Sequence, residues 1–279
     1  MGKRFWMAML LLVCASGAVA AGPSAVRKQI EASLLVKGTL DIDASGAVVG
    51  HELERRDDLP PGVVEMIGKA MPHWRFELVA LEDGTSPARV DMSLRIVAKE
   101  LDDDSFSVHI RGARFGQHQP GEIVSAKSLA PPRYPSAAVD SGVGGTVYLV
   151  VKVGRDGSVE EVVAEQVNLR IVAREREMIR WRRVLAQAAV RRAKDWTFNP
   201  PPRGDEVDEP YWSARVPVDF TFADAREPNE HEWNAYVPGP RERVPWLSEP
   251  SDDGADAIAA GGIYPVGGGP RLLTSLDPG

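Results

Sequence analysis

Five histidines, His51, His73, His109, His118 and His231, are the first residues to weigh as metal ligands or proton carriers. No two stand three or four residues apart, the spacing that puts two ligands on one helix face. Asp102-Asp103-Asp104 lacks the alternating oxygen ligands and closing glutamate of a calcium loop and reads as a solvated hairpin turn. Gly142 to Gly145 leads into a strand rather than a helix, so no helix N-terminus waits there for phosphate, and Gly267 to Gly269 fails the same requirement. No serine occupies a G-x-S-x-G elbow. Cys14 is the single cysteine, which excludes an internal disulfide and a cysteine metal site. These absences predict a protein that is not an enzyme and uses neither metal nor cofactor. The groups that remain suit binding: Pro131-Pro132-Arg133-Tyr134-Pro135, an alternating stretch from Ala214 to Phe222, and a concentration of arginine from 170 to 192.

Those groups need elements to hold them. The prolines at 131, 132 and 135 fix their own φ and push each preceding residue towards extended backbone. Val147, Leu149, Val151 and Val153 alternate with Thr146, Tyr148, Val150 and Lys152, the period of a half-buried strand. Arg155-Asp156-Gly157 turns the chain into a second strand from Ser158 to about Val167. A helical region is expected from about Leu169 to Ala193, carrying Arg170, Arg174, Arg176, Arg180, Arg182, Arg183, Arg191 and Arg192, then Lys194, against only Glu175 and Glu177. It is either a solvated face paired with the acidic remainder of the chain or a docking face for an acidic partner or phosphate-bearing lipid headgroups. In the last strand Ala214, Val216, Val218, Phe220 and Phe222 share one face, and Arg215, Pro217, Asp219 and Thr221 the other.

An earlier segment follows the same plan. Leu40 and Ile42 mark a strand, Asp43 to Gly46 turns it back, Pro60-Pro61 opens a helix, and Pro72 ends it before Trp74-Arg75-Phe76. Val63, Ile67, Ala70 and Trp74 match Leu185, Ala189, Arg192 and Trp196 at identical spacing, and Trp74-Arg75-Phe76 matches Trp196-Thr197-Phe198. Val90, Met92, Leu94 and Ile96 match Val216, Val218, Phe220 and Phe222. Offsets drift only in expected loops, as in a duplicated fold. The class predicted is α+β, with two tandem modules at 33–115 and 129–223, each a small antiparallel sheet with one packed helix.

The motif P-x-Y-P-x-x-A, the Gly-Thr-Val strand, the Asp-Gly turn, Trp196-Thr197-Phe198 and the V-P-V-x-F strand together resemble the C-terminal domain of the TonB family. The resemblance covers Ala130 to Phe222 well and the first module weakly, which lacks the Pro-Pro-x-Tyr-Pro lead-in. It implies a binding protein in transmembrane transport, engaging an extended segment of an outer-membrane TonB-dependent receptor or another envelope partner. It places the last strand at a sheet edge, an assignment Pro217 suits because a central strand would miss its amide. An extended peptide can add there by main-chain hydrogen bonding; the alternative is an edge merely guarded by proline and charge. Arg133, Tyr134, Pro135, Arg215, Pro217, Asp219 and Thr221 are the partner-binding residues this implies. No proline-rich spacer separates residue 20 from the first module, so strand capture is the family behaviour expected to survive. A structural envelope adaptor is the alternative function.

Lys3-Arg4, the apolar run Phe5 to Val13 and Ala18-Val19-Ala20 describe a secretory signal over residues 1–20. Its cleavage predicts a periplasmic chain beginning at Ala21; an uncleaved inner-membrane anchor is the alternative, and only then would the chain touch a membrane. The net charge of −7 gives no global drive towards nucleic acid or an anionic surface. From 224 to 279 prolines and glycines break all periodicity, and a disordered tail is expected.

Overall fold

The computed structural model describes residues 29–77, 87–101, 105–116, 121–204, 206–222, 232–247, 257–267 and 269–277. The expected signal over residues 1–20, Asp102 to Asp104, His118 and His231 lie outside the described residues.

Strand β1 (Glu31–Ile42) turns at Asp43 to Gly46 into β2 (Val48–Leu53), which pairs back upon it. Helix α1 (Pro61–Ala70) starts on Pro61 and stops where Met71–His73 tightens into a 3-10 turn around Pro72. The apolar stripe Val63, Ile67 and Ala70, continued by Trp74, is buried against the sheet. The long hairpin β3 (Ala88–Glu100) and β4 (Phe106–Phe115) completes it, with β1 and β3 antiparallel from Glu31↔Lys99 to Ile42↔Ala88.

A second unit begins with β5 (Ser125–Ser128) and the short helix α2 (Ser136–Asp140). Strand β6 (Gly145–Gly154) lies between β7 (Val159–Leu169) and β9 (Tyr211–Phe220). Helix α3 (Glu175–Ala193) buries Met178, Trp181, Leu185, Ala188 and Ala189 on this sheet, then Trp196 leads into β8 (Thr197–Asn199), which pairs with β5. The helix begins at Glu175, not near Leu169: Leu169 closes β7, so Arg170 belongs to a strand end. The architecture is α+β, built of antiparallel sheets with helices packed on them.

Both units share a local device. Gly46 and Gly157 each adopt φ 80°, and each carbonyl accepts the amide of the residue two beyond the tryptophan, Phe76 or Phe198, at 2.8 Å. A Cβ on either glycine would come within 2.2 Å of that phenylalanine's carbonyl oxygen, so glycine is required at both turns.

The described parts of the carboxy-terminal region are packed rather than disordered. Strand β10 (Asn234–Tyr236) pairs with β1, and the next residue, Val237, exchanges hydrogen bonds with Leu169 of the second sheet. Strand β11 (Tyr264–Pro265) pairs with β9. Further on, Leu272 pairs with Phe76, and Leu276 O accepts the Trp74 indole N–H at 3.1 Å. In the second unit Ala126 pairs with Phe198, and Ala130 O accepts the Trp196 indole N–H at 2.8 Å. The carboxy-terminal segment therefore supplies, from a distant point of the chain, the extended segment that β5 and its continuation supply locally. Pairings of two or three residues are too short to print a period, which is why composition alone suggested disorder. Ending the chain after Pro270 is expected to speed solvent exchange of the Trp74 indole proton and leave that of Trp196 unchanged, as measured by two-dimensional NMR.

Candidate functional site

The register of β9 on β6, unbroken from Gly145↔Phe220 to Gly154↔Tyr211, fixes what β9 offers to a ligand. Ala214, Val216, Val218 and Phe220 are buried in the core under α3. In an antiparallel pair each residue turns both main-chain groups to the same side, alternately towards and away from its neighbour. Ser213, Arg215, Pro217 and Asp219 turn theirs away from β6. Val266 N donates to Ser213 O at 2.9 Å, Tyr264 pairs with Arg215, and Gly261 N reaches Pro217 O at 3.4 Å. Pro217 thus has no amide on the side where β6 gives it nothing to bind, as an edge position permits. The tail covers the first part of this edge, and Asp219 lies beyond it.

A cavity of about 650 Å³ runs along this edge. Leu129, Pro131, Pro132, Val216 to Asp219 and Ile258 to Gly261 line it, together with Ser33, Leu35 and Arg95 of the first sheet and Asn234 to Tyr236 of β10. Tyr134 pins the Pro-rich segment to the end of β9: its hydroxyl donates to Val143 O at 2.9 Å and reaches Phe220 O at 3.3 Å. Its ring meets Phe220 edge-on and stacks on Phe222, each at 5.3 Å between centroids. Burial raises the phenol pKa, so the hydroxyl keeps its proton and both contacts through the neutral range. Pro135 precedes α2 with φ −63°, and Arg133 is exposed beside it.

Asp219 and Thr221 are held by a residue outside the expected set. Arg170, at the end of β7, pairs with Asp219, donates to Thr221 Oγ1 at 3.0 Å and also reaches Phe220 O at 3.3 Å. Thr146 Oγ1 donates to Asp219 Oδ1 at 2.6 Å, and Thr221 Oγ1 to Asp219 Oδ2. The strand pattern already contained Thr146, but only the pairing of β6 with both β7 and β9 brings it to Arg170 and Asp219.

Arg215 is not a surface residue. It is 3% exposed, and its guanidinium grips Glu165 bidentately at 2.8 and 3.1 Å. Arg241 of the tail closes over the same carboxylate at 2.8 Å. Its side chain does leave the helix-side core, as the alternation required, but on the other face it lies buried against Glu165 rather than in water. Arg215 is therefore structural; Pro217, Asp219 and Thr221 line the cavity, and Arg133, Tyr134 and Pro135 follow Pro131 and Pro132 of its lining in the chain.

Among the described residues no three His, Cys, Asp or Glu side chains gather into a metal-ligating cluster, and no helix is long and apolar enough to cross a membrane. Beyond the part covered by the tail, Asp219 turns its main-chain groups away from β6. "Protein TonB" of Xanthomonas campestris pv. campestris is 34% identical over 100 residues, 36% of this chain and 38% of that protein. "Protein tonB2" of Pseudomonas aeruginosa is 36% identical over 89 residues, 32% of this chain and 28% of that protein. The chain carries a TonB C-terminal-like domain. It spans less than two fifths of the length of the curated relatives it matches. No family model matches the chain, and no solved structure does.

Proposed function

We propose that this chain is a TonB-like periplasmic protein of envelope transport that captures an extended segment of an outer-membrane transporter, or of another envelope partner, along β9. The observation that carries this reading is the groove beside Pro217 and Asp219, where β9 main-chain groups face away from β6. An added strand would gain hydrogen bonds at Asp219, and at Ser213 to Pro217 by displacing the tail, and the apolar residues Leu129, Pro131 and Pro132 would select its side chains. The chain's role is binding rather than catalysis. Two tandem modules account for the shared glycine turns, the shared tryptophan positions and the two extended segments that accept an indole N–H.

A structural envelope adaptor is the second reading, favoured by the fact that β11 already pairs with part of the edge. Tyr264 clamps the covering loop: its hydroxyl accepts from Ala259 N at 3.1 Å and donates to Ala259 O at 3.2 Å. Loss of that clamp separates the readings. For capture, Tyr264→Ala should tighten binding of a synthetic extended segment from the periplasmic side of a transporter about five-fold, since roughly 1 kcal/mol of competing hydrogen bonding is removed. The peptide should also protect the Asp219 amide from hydrogen exchange. No binding to either protein, with Asp219 exchange unaltered, would leave the adaptor reading.

A further inference from the structure

We propose that the outer face of α3 is a docking surface for a phosphate-bearing lipid headgroup layer. Arg176, Arg180, Arg183, Arg191 and Lys194 are all exposed. At about 100° per residue they fall within one narrow stripe, and at about 1.5 Å per residue the stripe extends about 27 Å. The other helix arginines are occupied. Arg182 is buried and donates to Pro238 O at 3.0 Å, and Arg192 donates to Ala130 O at 3.2 Å. Among the described residues the five stripe cations have no ion-pair partner.

Nor do the helix's acids neutralise the stripe. Glu177 caps the first turn by accepting from Arg174 N, and Glu175 stands 3.9 Å from buried Arg182. An ordinary solvated helix face mixes its charges, as α1 does with Lys69 and Glu65 at 2.6 Å. Like charges three and four residues apart weaken a helix, so this stripe does nothing for the fold. It stands out more in a chain of net charge −7, which would orient this face towards an anionic surface and the remainder away from it.

The shape chooses the occupant. A protein partner of high affinity would want a pocket for aromatic or aliphatic anchors. This face is convex, and its one neighbouring indole, Trp181, is buried with Arg180 lying 5.0 Å from the ring centroid. Four of the five cations are arginines, whose planar forks bind phosphate oxygens in pairs. Ile179, 47% exposed, flanks the stripe and can enter the headgroup layer.

The test is flotation of the full chain with vesicles of phosphatidylglycerol mixed with phosphatidylcholine, against vesicles of phosphatidylcholine alone. The quantity read is the ratio of the two partition coefficients, compared with that of the substituted chain below, which carries the same Lys3-Arg4 and apolar amino-terminal stretch. A ratio far above one, falling as salt shortens the screening length, is expected. Arg180→Gln, Arg183→Gln and Arg191→Gln together should lower partition onto the anionic vesicles about a hundred-fold at an unchanged melting temperature. A ratio near one for the unaltered chain, or a high ratio that survives the triple substitution, overturns the proposal. So does binding of polyglutamate without binding of anionic vesicles, which would make the occupant an acidic protein.

Discussion

Glu165→Ala is expected to destabilise the protein by about 3–5 kcal/mol, because it strands a buried guanidinium without its counter-ion. Arg215 and Glu165 have side chains only 4% exposed, and Arg241 completes the group from the tail. Breaking such a pair from one side costs far more than the pair contributes, since the surviving charge cannot recover its hydration. Replacing both partners together, Arg215→Met with Glu165→Leu, should recover most of that loss. Urea unfolding of the single and double variants, with the slope checked for constancy, measures the difference. Equal stability of Glu165→Ala and the unaltered protein would mean that the group is hydrated. With the group buried, Arg215→Ala is expected to lower stability as well, whereas changes at Arg133 leave it intact.

Trp196→Ala carries a similar expected cost, about 3–5 kcal/mol. The indole is 3% exposed in the core under α3, and its N–H is spent on Ala130 O. Truncation would open a large cavity and also free the strand that carries the Pro-rich lining of the groove. Trp74, fully buried in the first unit, should lose a comparable amount. If the units unfold separately, each substitution lowers only one of two calorimetric transitions. A single transition lowered equally by both would instead show that the tail, which hydrogen-bonds to β1, β7 and β9, couples them into one cooperative whole.

By itself the sequence determined the local elements of this protein. Alternation in 147–153 and 214–222 gave strands because a sheet with one face under a helix demands that period. Pro61 and Pro72 bounded α1, and the turns at Gly46 and Gly157 were marked by the residue that tolerates their φ. Arg170 was misplaced onto the helix because arginine has no strong period of its own and the strand boundary fell one residue before it. The tertiary structure decided which faces meet water. A period-two pattern separates two faces of a strand, but it does not say whether the second face is solvated or roofed. Arg215 looked like an exposed charge, yet it lies buried against Glu165, with Arg241 of the tail on the same carboxylate. The same long-range pairing closed part of the β9 edge and left Asp219 beyond it. Such contacts join residues far apart in sequence through two or three hydrogen bonds each, and so leave no local pattern from which they could be read.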